Sequence, residues 1–167
     1  MAKLIPLGDC VTRGEQRTLE YLQKFLPDDW VVFGNAQVTS GELTREIDAI
    51  VVGDRCVWVV DEKGFGGVIT GDEHTWILSD GSARERVLSH ILHAAKMVKG
   101  KLVAADRRLD QIWIEGLVLL SADDVEVLVE DPRISRTVWK LQGCENKFRE
   151  IIFPQARTLS PSERETV

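Results

Sequence analysis

The sequence predicts an α/β domain in which a central mixed sheet is flanked by helices. Three observations carry that expectation: an amphipathic stripe near the N-terminus, β-branched apolar runs parted by turn signals, and a second long helical stripe followed by another apolar run. Residues 12–26 (TRGEQRTLEYLQKFL) place Leu19, Leu22, Phe25 and Leu26 three and four positions apart, on one helix face. Thr12 and Glu15 form a capping-box pattern at the start of this helix, and Pro27 ends it. Residues 30–33 (WVVF) are a short β run closed by Gly34-Asn35. After the polar turn Ser40-Gly41-Glu42, residues 45–52 (REIDAIVV) form a strand that enters polar and leaves buried. Gly53-Asp54 fits a tight hairpin turn, and residues 55–63 (RCVWVVDEK) return as a β-branched strand.

Beyond the break Gly64-Phe65-Gly66-Gly67, short strand pieces are expected at 68–70 and 75–78. Ser82 is positioned to cap a helix that reaches about Lys101, with Val87, Leu88, Ile91, Ala94, Ala95 and Val98 as its apolar stripe. Residues 112–120 (IWIEGLVLL) read as a strand and 125–129 as another, with Trp58 and Trp113 as core side chains. A helical region follows over 134–153, interrupted near Gly143. The domain is expected to span 1–154, and the polar stretch 155–167 to be a tail or linker.

Composition narrows the function classes. A chain of 167 residues suits one domain. At that size a fold buries roughly 70% of its unfolded surface, so the core needs no disulfide or metal. With 44% hydrophobic and 29% charged residues the chain is neither disordered nor collagenous. Its apolar runs fall far short of the ~20 residues of a membrane span, and the opening MAKLIPLGDC lacks the apolar stretch of a signal peptide. The expectation is a cytoplasmic protein with no membrane association. Cys10, Cys56 and Cys144 are odd in number, far apart and without a CxxC pair, which fits neither a disulfide framework nor a zinc cluster. A net charge of −6 means that any nucleic acid must be held by a local patch or by metal ions.

The acidic residues inside apolar strands stand out, because strands disfavour Asp, Glu and Lys. In the second strand Asp48 lies in Glu46-Ile47-Asp48-Ala49-Ile50; in the third, alternation puts Asp61 and Lys63 on one face and Glu62 on the other. Counted back from Gly53-Asp54, Asp48 pairs near Val59. Asp61 is then a diagonal neighbour about 7–8 Å away or less. Two converging carboxylates repel unless a cation sits between them, and hard ions such as Mg²⁺ take one or two carboxylates plus water. A lysine beside them can orient a water or neutralise charge on a phosphate. This is a phosphodiester-hydrolysis pattern, which Glu15 at the helix start could complete as an outer ligand or water acceptor. Each residue also has an ordinary reading: Glu15 as the capping-box glutamate, Asp48 as a partner of Arg45 or Arg55, and Asp61-Glu62-Lys63 as a solvated strand end.

Taken in order, Gly14-Glu15, Leu26-Pro27, Glu46-Ile47-Asp48, Asp61-Glu62-Lys63, Gly67-Val68-Ile69-Thr70-Gly71 and Trp76 give the chain a family likeness. Over roughly residues 12–121 it resembles the NERD (nuclease-related) domains of the PD-(D/E)xK nuclease superfamily. The resemblance implies a restriction-endonuclease-like αβββαβ core and a Mg²⁺- or Mn²⁺-dependent nuclease that cuts DNA rather than RNA. It implies Asp48 and Asp61 as metal ligands, Lys63 as the catalytic lysine and Glu15 as the helical acid. It also implies a bacterial or archaeal DNA-processing or defence setting, often with a kinase or helicase module attached. The chain departs from the family pattern in Asp61 for the usual Glu, Glu62 for an apolar residue, Gly64 for Asn, and Ser89 or His90 where a Gln is common. Glu62, the missing Gln and the net charge favour the alternative, an inactive nucleic-acid-binding or docking module on the same fold.

Two further features invite function. His90 and His93 stand at i, i+3 on the long helix, either as a metal pair lacking a third ligand or as part of a half-buried or DNA-facing surface. Arg84, Arg86, Lys96, Lys99 and Lys101 against Glu85 are either a solvated face or a phosphate-contacting stripe, with Lys96, Lys99 and Lys101 as nucleic-acid contacts. Neither GxGxxG nor GxxxxGK[ST] occurs, so no nucleotide cradle is expected.

Overall fold

The computed structural model describes residues 1–151 and 157–167. The elements in chain order are β1 (Lys3–Pro6), α1 (Arg13–Phe25), β2 (Val31–Ser40), β3 (Leu43–Val52), β4 (Cys56–Lys63), β5 (Val68–Asp72), β6 (Thr75–Ile77), β7 (Ala83–Glu85), α2 (Val87–Ala105), β8 (Trp113–Leu120), β9 (Glu126–Glu130), α3 (Ile134–Thr137), β10 (Val138–Lys140), α4 (Cys144–Glu150) and α5 (Pro161–Arg164). A six-stranded mixed sheet runs β1-β2-β3-β4-β8-β10, and a smaller one runs β7-β6-β5-β9. The expected order of helix, three strands, helix and strand is α1, β2, β3, β4, α2 and β8.

Helices cover both faces of the large sheet. On one face Leu19 and Leu22 of α1 and Phe148 of α4 pack with Trp58, Val60 and Leu119. There Trp30 stacks on Trp58 at 5.5 Å, and Phe148 meets Trp58 edge-on at 4.9 Å. On the other face Leu88, Ile91, Ala94 and Val98 of α2 pack on Val59, Val118 and Leu120. Gly116 lets α2 approach β8 this closely, because a Cβ there would sit 2.9 Å from the Ile91 carbonyl oxygen. Trp58 is core as expected. Trp113, at the first position of β8, is 42% exposed, which corrects the expectation of a core side chain.

Several boundaries differ from those the sequence suggests. β2 does not stop at Gly34-Asn35 but runs on to Ser40, because Asn35 takes a left-handed φ of 55° inside the strand. Register stays continuous across it, Gly34 pairing with Ala49 and Ala36 with Ile47. The faces nevertheless change over: Gly34 lies against Leu19 and Ala49 belongs to the α1-side core, whereas Ala36 and Ile47 belong to the α2-side core. The crossover falls at Asn35 and Asp48. The next hairpin pairs Val52 with Val57 rather than with Arg55, because the turn is closed by the Gly53 N–H to Cys56 carbonyl bond at 3.0 Å. A shift of two residues keeps every side chain on its face.

The long helix begins at Val87 rather than just after Ser82. Residues 83–85 pair with β6 instead, and Arg86, with a φ of 54°, donates its N–H to the His74 carbonyl before the helix starts. The helical region expected over 134–153 is α3 and α4 with β10 between them, paired in parallel with β8; Gly143 at a φ of 83° precedes α4. Residues 152 and 153 of that region, and the expected boundary at 154/155, lie outside the described residues. Within 157–167, where a polar tail is expected, Leu159 is fully buried among Val31, Val52, Val57 and Ile112. Arg164 is also buried and bonds the Asp29 carboxylate at 2.6 Å. Leu159 in the core, Val167 packed against it and Arg164 on Asp29 together seat this segment on the sheet. Among the described residues no helix is long and apolar enough to cross a membrane.

Candidate active site

The β3–β4 ladder ends at Ala49 and Val60, and the next position in that register sets Asp48 against Asp61. Instead of a further ladder bond, the Asp48 carboxylate accepts the Glu62 N–H at 2.5 Å. An acidic side chain is thus drawn into the gap where the strands part. Burial is the main influence on its acidity and pushes it up. Asp61 and Glu15 nearby push the same way, against the opposing pull of the Glu62 N–H and Lys63. The result is a carboxyl raised to about 7.

The four site residues expected from sequence therefore act on one another at one end of this strand pair, each tied down differently. Asp61 and Lys63 share the α2 side of β4 and form an ion pair at 2.8 Å, with side chains 27% and 31% exposed. Glu15 caps α1: its carboxylate accepts the Val11 N–H at 2.8 Å and the Thr12 hydroxyl at 3.2 Å, while its own N–H donates to Thr12 Oγ1. The capping reading of Glu15 holds, and the same side chain lines a cavity of about 250 Å³ with Asp48 and Asn35. A second cavity of about 330 Å³ is lined by Asp61, Lys63, Phe65, Arg45, Arg84 and His90. Glu46 and Ile47 border both, so the two hollows adjoin along β3.

Glu62 points to the opposite face, as alternation requires. It is buried under the start of α1, accepts the Ser121 hydroxyl at 2.5 Å, and has a carboxyl raised chiefly by burial. Gly14 makes room for it, since a Cβ there would lie 2.6 Å from a carboxylate oxygen. Ala is the better helix former by about 1 kcal/mol, but overpacking a buried group costs about 1–3 kcal/mol. Gly14→Ala is therefore expected to destabilise the fold by about 1 kcal/mol net, measured by urea unfolding.

The donor set suits a hard divalent ion. Asp48 Oδ1 and Asp61 Oδ2 have no protein partner among the described residues, so each carboxylate keeps one oxygen available. Two carboxylates completed by water match the habit of Mg²⁺, which rarely uses an all-protein cage. Among the described residues no group of three His, Cys, Asp or Glu side chains is arranged to hold a metal. His90 and His93 thus lack a third ligand; His90 lines the cleft beside Lys63.

The basic stripe expected on the long helix divides. Arg84 is on β7, facing the cleft. Lys99 is occupied elsewhere, its ammonium bonding the Leu109, Asp110 and Ile112 carbonyls. Lys96 lines a separate hollow with Lys99 and Trp113. Sequence reasoning missed Asn35, whose amide oxygen and nitrogen are both buried without a partner beside Glu15 and Asp48. The signal was the Gly-Asn pair itself, which reads as a turn but here marks a left-handed residue inside a strand.

Comparison with known proteins identifies the family. Residues 11–121 match the profile of the nuclease-related domain, NERD. Over 120 residues the chain is 27% identical to the probable kinase PglW of Streptomyces coelicolor, a match that covers 68% of this chain and 8% of that protein. No solved structure matches. With two-thirds of its length, helices α1 and α2 and the acid-bearing strands inside the matched span, the chain belongs to the NERD family, a restriction-endonuclease-like fold.

Proposed function

We propose that this domain is a metal-dependent nuclease that hydrolyses DNA phosphodiesters, with Mg²⁺ or Mn²⁺ held by Asp48 and Asp61. The observation that carries the reading is the half-buried Asp48 carboxyl, raised to about 7 and set against the Asp61–Lys63 ion pair where two strands part. Such an ion would polarise a phosphoryl oxygen and make water acidic enough to attack at neutral pH. The chain's own groups do the rest. Asp48 and Asp61 each keep one carboxylate oxygen without a protein partner among the described residues. Lys63, paired with Asp61 through one carboxylate oxygen, could hold the attacking water or meet charge growing on the phosphate. Glu15 adds negative charge from the helix start while keeping its cap. Partial burial of Asp48, Asp61 and Lys63 lowers the local dielectric, which strengthens each of these interactions.

The second reading, a binding or docking module without turnover, draws on Lys63 being neutralised by Asp61, on Glu15 being spent on the cap, and on the absence of a three-acid cage among the described residues. A plasmid-nicking assay separates the two. The wild-type domain is expected to nick supercoiled DNA with Mg²⁺ or Mn²⁺ and to stop in EDTA. DNA binding without nicking under any of these conditions would leave the docking module. The probable kinase PglW is far longer than the matched span, which supports placing this domain within a larger DNA-processing or defence protein with a kinase or helicase companion. We place it in the cytoplasm, where its three free thiols stay reduced.

A further inference from the structure

The cleft beside the Asp61–Lys63 pair holds two guanidinium groups that no role has yet absorbed. Arg45 comes from β3 and Arg84 from β7, so they reach the hollow from two different walls. Backbone geometry puts both there. Arg45 is two residues beyond Ile47 on β3, past the crossover at Asn35 and Asp48, and so lies on the α2 side; plain alternation from Ala49 would have turned it to the α1 side. Arg84 pairs with the buried Trp76 and shares its inward face of the small sheet.

Neither side chain has an ion pair within the described residues, although Glu46 and Glu85 border the same cleft. Arg84 donates to the Ala83 carbonyl at 2.9 Å and lies over the Phe65 ring at 5.8 Å, which holds the guanidinium at the cleft wall while leaving most of its donors unused. Arg45 Nε is buried with no acceptor. With no internal acceptor or ion pair among the described residues, the Arg45 guanidinium keeps its charge uncompensated for an anion entering the cleft that it lines. Lys63 is already neutralised by Asp61, and His90 at the rim is exposed, so the uncommitted cations of this hollow are the two arginines. In a protein with 27 acidic residues against 21 Lys and Arg, the lining of this cleft brings Arg45, Lys63 and Arg84 level with Glu46, Asp61 and Glu85, and the two guanidiniums are the cations among them without an ion pair among the described residues.

We propose that Arg45 and Arg84 form a phosphate clamp, gripping backbone phosphates on either side of the one presented to Asp48, Asp61 and Lys63. The occupant is a nucleic-acid strand, and in that respect the clamp rests on the nuclease reading. Arg suits the task because its fork binds a phosphate through two parallel bonds, which a lysine cannot do. The clamp would let an acidic domain hold a polyanion through two guanidiniums in a cleft where cations match carboxylates, rather than through a stripe along α2.

The test measures binding of a short labelled DNA duplex by anisotropy in EDTA over a salt series, with nicking kinetics in Mn²⁺ alongside. Arg45→Ala and Arg84→Ala are each expected to weaken binding roughly tenfold, and to reduce the slope of log K against log salt by about 0.9. In the nicking assay each raises KM and leaves kcat within about twofold, the pattern of a lost ground-state contact. Arg84→Lys keeps the slope and recovers only part of the affinity. Lys3→Ala, whose side chain pairs with Glu165 away from the cleft, leaves both unchanged. If Arg45→Ala loses stability, Arg45→Met keeps the aliphatic stem and removes the charge. Unchanged slope and KM in both arginine variants, with a wild type that cuts, would overturn the clamp and leave the nuclease reading standing. A wild type that binds but never cuts, and whose slope falls in the variants, would do the reverse. A wild type that binds no DNA at low salt also overturns the clamp.

Discussion

Nicking by Asp61→Asn or Lys63→Ala protein is expected to fall roughly 10²–10³-fold below wild type, the scale of removing one preorganised transition-state group. The two variants are expected to fail differently. Asn keeps the shape of residue 61 but not its charge, so Mn²⁺ binding weakens and higher metal concentration restores part of the rate. Lys63→Ala leaves both carboxylates, so Mn²⁺ binding persists or tightens as the competing ammonium goes, while kcat stays low at saturating metal. Folding is not the confounder: both side chains lie at a strand end, and an ion pair of this exposure is worth about 1 kcal/mol or less. Isothermal titration with Mn²⁺ together with nicking rates reads the split. Cutting that survives both substitutions would remove the nuclease from this site.

The acids of this site were legible because they violate strand preference. Asp48 and Asp61 sit in runs of valine and isoleucine, and alternation assigned Asp61 and Lys63 to one face and Glu62 to the other, as found. The hairpin register was off by two residues, yet the face assignment survived because side-chain period in a strand is also two. What stayed hidden depends on backbone states that sequence patterns do not announce. Residues 83–85 read as the start of a helix because Ser82 resembles a cap, but Arg86 in a left-handed conformation delays the helix and frees a short strand that carries Arg84 to the cleft. Asn35 reads as the end of a strand, whereas its positive φ turns the strand over and carries it on. Both hidden features depend on a single non-glycine residue with positive φ, and both deliver an arginine to the same hollow. β10 was missed because three residues between two helical stretches carry too little pattern of their own; pairing with β8 decides their state.

Asp48 links stability to pH in the direction opposite to that of the acids paired with arginine, a direction it shares with the buried Glu62. Its folded carboxyl titrates at about 7 against 3.8 unfolded. Between those values the folded state binds more protons than the unfolded state, so this residue makes stability fall as pH rises through the window, and the penalty is complete above about 7. Acids with lowered values, such as Asp131 beside Arg133, act the opposite way and only at lower pH. The full shift corresponds to about 4 kcal/mol; Asp48 is partly exposed and coupled to its neighbours, and screening leaves on the order of 2 kcal/mol. Asp48→Asn keeps an oxygen for the Glu62 N–H and removes the charge. In EDTA it is therefore expected to melt roughly 4–8 °C above wild type at pH 8.5, and within about a degree of wild type at about pH 3, where this carboxyl is neutral in the folded and the unfolded chain alike. Mn²⁺ should then raise the wild-type Tm at pH 8.5 and much less at pH 5.5, because a ligand must lose its proton to bind a metal, while Asp48→Asn gains little at either pH. Equal melting differences at high and low pH would mean that this carboxyl is not held neutral by its surroundings. A metal shift that persists in Asp48→Asn would place the ion elsewhere. The same charge that costs the empty fold its stability at alkaline pH is the charge a divalent cation would neutralise, so melting curves alone, with no DNA present, test whether this strand gap is built for an ion.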